Sequence, residues 1–223
     1  HEDEYLLIRK HFKSLIINKS RATAVEEAEK KNFDSVILDD GFQDHKIKKN
    51  LNILCFNENQ FIGNGFVLPA GPLRENLSSL KRAEIILING NKNVGFENKI
   101  LNVNRNLSIF YAKYKPENID EFKNKRLLAV AGIGNPNNFF KLLLDNNLNI
   151  EKKLIFPDHY QFSKNEIKNI VNEAYKNNYE IIMTEKDYFK VKNFNLEKIR
   201  YLKVSLEIND KERFFKKITK LYD

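Results

Sequence analysis

Short apolar runs alternate with amphipathic stretches along the whole chain. Residues 35–38, 51–56, 84–89, 153–156 and 179–184 read as strands, 126–134 begins a second α/β unit, and 201–208 is the last strand. Most are continuous apolar runs, which suit a parallel sheet covered on both faces better than a sandwich. Helical patterns fill the intervals. Residues 1–12 form a short helix with Asp3 and Glu4 in its first turn, where acids complement the helix dipole. Ser20 is placed to cap a helix through Lys30, with Glu26 and Glu27 on its polar face. Asn135-Pro136 opens another, running to about Asn146. Ser163 caps the next, with Glu166 at the capping-box position. Residues 185–190 form a short helix, and Asp210 starts the terminal one.

Residues 101–114 follow a different rhythm. Ile109, Tyr111 and Lys113 alternate with Phe110, Ala112 and Tyr114, a period of two that predicts an exposed antiparallel ribbon. Pro116 and a polar stretch to Lys125 follow. The expected organisation is α/β in two lobes with mainly parallel sheets, joined by a two-stranded ribbon. Residues 1–100 make the first domain, 101–125 the connection and 126–223 the second.

Composition narrows the setting. The net charge of +8 favours contact with phosphates, anionic lipid or nucleic acid. The lysines are nevertheless scattered (Lys10, Lys13, Lys30, Lys48, Lys152), as on a solvated surface, and no basic cluster is interleaved with aromatic residues as a nucleic-acid reader requires. The single cysteine, Cys55, sits within an apolar run, reads as a buried hydrophobe and excludes a disulfide within one chain. No run approaches the roughly 18 apolar residues of a membrane span. The chain opens at His1 and enters a helix at once, which reads as a fragment or processed piece.

Candidate chemistry concentrates in a few strings. Val36-Ile37-Leu38 leads into Asp39-Asp40-Gly41-Phe42-Gln43. A buried strand ending in two carboxylates delivers acids to the edge where ligands bind in open α/β folds, and adjacent carboxylates suit a hard cation such as Mg²⁺. Asp-Asp-Gly is also a common turn sequence. Leu68-Pro69-Ala70-Gly71-Pro72-Leu73-Arg74-Glu75 is a stiffened loop ending in a charged pair, suited to clamping phosphate. Phe156-Pro157-Asp158-His159-Tyr160-Gln161-Phe162 carries a histidine whose ordinary pKa suits proton transfer near neutrality. Gly132-Ile133-Gly134-Asn135-Pro136 is a glycine turn between strand and helix, without the third glycine of a dinucleotide fingerprint.

Taken together, these strings resemble the tetraacyldisaccharide 4'-kinases, the lipid A kinases of Gram-negative envelopes. The similarity rests on Asp39-Asp40-Gly41-Phe42-Gln43, on the loop ending in Arg74-Glu75, on the Phe-x-Asp-His-x-x-Phe pattern around His159, on Ala131-Gly132-Ile133-Gly134-x-Pro136 and on Thr184-Glu185-Lys186-Asp187. Asp3-Glu4 followed by Tyr5-Leu6-Leu7 matches the family's Gly-Asp-Glu helix start, with Glu2 in place of the glycine. Asp44 stands where the family usually has histidine, with His45 one place later; Tyr188 and Phe189 replace a small residue and valine.

The resemblance implies a fold related to P-loop nucleoside triphosphatases and transfer of the ATP γ-phosphoryl group to the 4'-hydroxyl of a tetraacylated glucosamine disaccharide 1-phosphate, giving lipid IV-A. It assigns Asp3 as base, assisted by His159. Asp39, Asp40 and Gln43, with Glu4, would hold Mg²⁺; Arg74 and Glu75 would lie by the transferred phosphate. Lys186 either faces the nucleotide or covers the joint between lobes. It further implies a monomer working on its lipid disaccharide substrate at the cytoplasmic face of the inner membrane. The 223 residues contain no Gly-x-x-x-x-Gly-Lys-Ser/Thr loop, which the family places upstream. Without it nothing cradles the β- and γ-phosphates. A non-catalytic remnant is therefore the competing expectation.

Overall fold

The computed structural model describes residues 2–194 and 198–221; the side chains of Glu2, Asp3, Glu4 and Leu6 lie outside the description. Helices α1 (Glu2–His11) and α2 (Arg21–Lys30) precede strands β1 (Ile53–Asn57) and β2 (Ile85–Asn89). Then come α3 (Val94–Leu101), β3 (Ser108–Pro116), β4 (Arg126–Ala131), α4 (Pro136–Asp145), β5 (Asn149–Ile155), α5 (Lys164–Asn177), β6 (Glu180–Thr184) and α6 (Glu185–Val191). Strands β7 (Ile199–Leu202) and β8 (Val204–Ile208) and helix α7 (Lys211–Thr219) complete the order.

The chain divides into two compact units: His1–Ile17 with Pro116–Ser205, and Asn18–Lys115 with Leu206–Asp223. The first holds a parallel sheet ordered β5-β4-β6-β7. Alternation along β4 explains its layering, because successive side chains point to opposite faces. Leu127, Ala129 and Ala131 pack with Phe139, Phe140 and Leu143 of α4. Leu128 and Val130 pack with Ile167, Ile170, Val171 and Ala174 of α5. Helix α5 starts as its sequence dictates: Glu166 N–H donates to Ser163 Oγ at 3.2 Å, and Ser163 N–H donates to Glu166 Oε2 at 2.8 Å.

The second unit holds the order β1-β2-β3-β8, with β1, β2 and β3 mutually parallel. Ile86 and Ile88 pack with Phe96 and Ile100 of α3; Ile85 and Leu87 pack with Phe110, Ala112 and Phe214 of α7. The chain passes between the units at 115/116 and again at 205/206, on the neighbouring strands β3 and β8. There Glu117 N–H donates to the Lys203 carbonyl and Asn209 N–H to the Tyr111 carbonyl, so the two strands run in opposite directions.

Four expectations are corrected. Residues 35–38 are not a strand; they are irregular, with Ile37 92% exposed. An apolar run becomes a buried strand only beside partner strands, and β1 ends the sheet with no strand beyond it among the described residues. Cys55 is exposed rather than buried: on the edge strand β1 its neighbours Leu54 and Phe56 turn to the core. The first half of β3 pairs in parallel with β2 instead of standing as a free ribbon. The run 201–208 splits at Lys203 into β7 and β8, which belong to different sheets.

Candidate functional site

In the unit of Asn18–Lys115, the aspartate pair and the stiffened loop meet. Asp40 has φ +52°, a left-handed conformation that aspartate tolerates in turns. Gly41 follows because a Cβ there would lie 2.7 Å from the Cβ of Leu38. Arg74 Nη1 donates to Asp40 Oδ1 at 2.6 Å and to Oδ2 at 2.5 Å. Arg21 reaches the Asp39 carbonyl at 3.3 Å.

The loop is shaped by Asn64 and Gly71. Asn64 Nδ2 donates to the Ala70 carbonyl at 2.8 Å, and its Oδ1 accepts from Phe66 N–H at 3.1 Å. A Cβ on Gly71 would fall 2.2 Å from Asn64 Oδ1 and 2.3 Å from the Phe66 carbonyl oxygen, so only glycine fits this approach.

Glu75 accepts a hydrogen bond from Arg82 and lies 3.2 Å from His45 Nε2. Burial pushes its carboxyl upward, but Arg82 and then His45 outweigh burial and hold its pKa below the ordinary value. The Arg82 guanidinium stacks over Phe42, 4.6 Å from the ring centre. The family strings thus supply Asp40, Phe42, Arg74 and Glu75, while His45 and Arg82 join them through folding. Gln43 is half-buried in the same turn region.

Hard oxygen donors fit Mg²⁺ by chemistry. Asp39 and Asp40 offer two carboxylates, one of them gripped by Arg74, and among the described residues no three His, Cys, Asp or Glu side chains gather into a metal-holding group. That set suits a cation that keeps several waters and completes its shell with substrate phosphates.

In the other unit the chemistry gathers at the carboxyl edge of the sheet. From β4 the chain goes to β5 on one side and later to β6 on the other, so β4 and β6 flank the topological switch point where open α/β sheets bind ligands. Gly132 N–H, just past β4, donates to Asp187 Oδ2 at 2.7 Å. Thr184 Oγ1, at the end of β6, donates to the same oxygen at 2.7 Å, and Lys190 Nζ donates to Asp187 Oδ1 at 3.0 Å. Asp187 is fully buried, and the Lys190 side chain is 3% exposed.

Asp158 faces this edge from the loop after β5. Lys186 Nζ lies 3.7 Å from Asp158 Oδ1, and His159 Nε2 lies 3.8 Å from Asp158 Oδ2. A Cβ on Gly134 would approach Asp158 Oδ2 to 3.0 Å. Sequence neighbours rarely face each other; here a φ of +57° at His159 folds the ring back, with His159 N–H donating to Asp158 Oδ1 at 2.9 Å. Phe156, Tyr160 and Phe162 hold the loop as an aromatic cluster with ring centres 4.9–5.1 Å apart.

Asp3 and Glu4 begin α1, in this same unit; their side chains lie outside the described residues. Two contacts lacked any sequence signal beyond ordinary lysine spacing: Lys190 to Asp187, and Lys10 of α1 to Glu185 of α6 at 2.6 Å.

Fold and side chains define a parallel α/β protein whose acid, arginine and histidine side chains are suited to phosphate chemistry. The profile of the tetraacyldisaccharide-1-P 4'-kinase family (LpxK) matches residues 2–223, and the chain belongs to that family. Curated relatives named tetraacyldisaccharide 4'-kinase include those of Pelagibacter ubique, 44% identical over 98% of this chain, and Haemophilus influenzae, 32% identical over 98%. That of Francisella tularensis subsp. novicida is 34% identical over 87%. The chain spans 70%, 66% and 62% of their respective lengths. The fold is shared with a crystal structure of LpxK from Aquifex aeolicus, described as in complex with ATP, at a TM-score of 0.54 and 23% identity over 82% of this chain and 56% of that one. No helix among the described residues is long and apolar enough to cross a membrane.

Proposed function

We propose that the chain forms part of an ATP-dependent kinase that phosphorylates the 4'-hydroxyl of tetraacyldisaccharide 1-phosphate to give lipid IV-A. The observation that carries this reading is the Asp40–Arg74 ion pair, which joins two signature strings in a chain matched to the family over residues 2–223. In this reading Asp3 removes the proton of the 4'-hydroxyl as its oxygen bonds to the γ-phosphorus. The bond to the β–γ bridging oxygen breaks, and ADP leaves. His159 stabilises the protonated base. Asp39 and Asp40, with Gln43 and Glu4, would hold Mg²⁺, which neutralises charge on the phosphates. Arg74 exchanges its carboxylate partner for phosphate oxygens, an exchange its planar fork suits. Glu75, fixed between Arg82 and His45, keeps Arg74 at the right end of the loop. Lys186 adds positive charge for the nucleotide.

The apportionment that goes with this reading gives residues 1–100 to the kinase domain, 101–125 to the connection and 126–223 to the second domain. The working place is the cytoplasmic face of the inner membrane, as a peripheral monomer, where excess lysine favours anionic lipid.

The 223 residues by themselves contain no phosphate-cradling Gly-x-x-x-x-Gly-Lys-Ser/Thr loop. Assayed alone, they are expected to hydrolyse no ATP above background. In a chain extended with that loop, Asp3→Ala should lower kcat far more than it raises KM for ATP, because the base acts on the acceptor in the transition state. His159→Ala should act the same way, and the double mutant should be much less than additive. Near-parental kcat in Asp3→Ala would end the assignment of Asp3 as base.

A further inference from the structure

Helix α1 packs against α6, and Lys10 adds a charged contact between them. Lys10 Nζ donates to Glu185 Oε1 at 2.6 Å and to Tyr201 Oη at 3.1 Å. The ammonium also lies 5.2 Å from the ring centres of Phe189 and Tyr201, within reach of cation–π attraction. The Glu185 hydrogen bond, the larger influence, raises the Lys10 pKa above its ordinary value despite partial burial, so the charge persists.

The other end of this contact is rigid. Glu185 opens α6, next to Lys186 and two residues before Asp187, and Asp187 is bonded to Gly132 just beyond β4 and to Thr184 at the end of β6. Tyr201 belongs to β7 of the same sheet and stacks on Tyr188, with ring centres 4.6 Å apart. Lys10 therefore binds a point fixed to the carboxyl edge that also bears Asp158, His159 and Lys186.

Position 3 lies seven residues upstream in α1, about 10 Å along the axis at 1.5 Å per residue, and positions seven apart share a helix face. We propose that Lys10 is a positioning residue: by clamping α1 to Glu185, Tyr201 and Phe189, it sets where the acid at position 3 stands relative to His159. This rests on the assignment of Asp3 as base. Small displacements matter in such a site, since a misplacement of about 1 Å costs on the order of 100-fold in rate.

The test uses the full-length natural chain with Lys10→Met, which keeps the apolar stem and removes the charge, Lys10→Arg, which keeps the charge, and Asp3→Ala. Two quantities are read: amide exchange along α1, and kcat against KM for ATP. Lys10→Met should speed exchange in α1 and lower kcat about tenfold or more while KM changes by less than about twofold. Lys10→Arg should recover at least about a third of kcat, since guanidinium also pairs with carboxylate and stacks on aromatic rings. Unchanged exchange in Lys10→Met overturns the clamp. Faster exchange with parental kcat, in a protein that Asp3→Ala still cripples, overturns its role in positioning and leaves the base assignment standing. Parental kcat in Asp3→Ala sinks the base assignment, and the positioning role with it.

Discussion

Replacing Asp187 by Asn removes a charge at a side chain fully buried in its unit while leaving one of similar size. The amide oxygen still accepts from Gly132 N–H, whose present bond is 2.7 Å. The Lys190 ammonium, on a side chain 3% exposed, loses its ion pair with Asp187. Breaking a buried pair from one side costs about 3–5 kcal/mol, because the remaining charge stays desolvated. Against a total stability of about 5–15 kcal/mol, that is a large share. Removing the second charge as well, in Asp187→Asn/Lys190→Met, should recover part of the loss, leaving a cost of about 1–2 kcal/mol. Urea titration read by amide exchange in β4 and β6 peptides isolates this unit from the other. Asp187→Asn should lower their opening free energy by about 3 kcal/mol or more, and the double variant by clearly less than the single. A single-variant cost below about 1 kcal/mol, or a double variant at least as costly as the single, would refute the view that this ion pair holds the sheet edge.

Two further outcomes follow from the other unit. Glu75 has a depressed folded pKa, so its contribution is present above the ordinary value of 4.5 and is lost as pH falls through the lower folded value. Melting temperature followed below 4.5 should fall less steeply for Glu75→Gln than for the parent; superimposable acid limbs would contradict the Arg82–Glu75–His45 arrangement. Gly71→Ala must move the Phe66 carbonyl or Asn64, at an overpacking cost of about 1–3 kcal/mol, visible as a melt lowered by about 2–4 °C per kcal/mol. An unshifted melt would mean that the loop is not held as close as 2.3 Å at that carbonyl.

The elements most legible in the sequence were those whose local signals and tertiary setting agree. Strand β4 is buried on both faces and reads as an unbroken apolar run; α5 announces itself by Ser163 and Glu166. Residues 35–38 carry the same apolar signal as a buried strand, but pattern cannot say whether a sheet has room beside β1. Lys203 looks like one polar residue within a strand, and the exchange of sheets there is decided by neighbours far away in sequence. Helix α3 was hidden by Gly95 and by asparagines that suggest a loop, although Asn93 accepts from Phe96 N–H and so starts the helix. In the candidate site the strings were readable and their meetings were not. Arg74 and Asp40 are 34 residues apart, and Lys10 and Glu185 are 175 apart. Among 38 Lys and Arg residues, nothing local marks Lys10, Arg82 or Lys190 as different.

The double passage of the chain on β3 and β8 has a consequence for the order of assembly during synthesis. The unit that begins at Asn18 is not complete at Lys115, because it still lacks Phe214 of α7, which packs on Ile85, Leu87 and Phe110. The other unit has its last strand by Leu202. At a translation rate of about 5–20 residues per second, the earlier-started unit waits roughly 5–20 s for its closing helix. During that wait one face of its sheet is uncovered, whereas the later unit can close first. Protease protection of ribosome-arrested chains should therefore appear in β4 and β6 before it appears in β2, reversing the N-to-C order usual for successive domains.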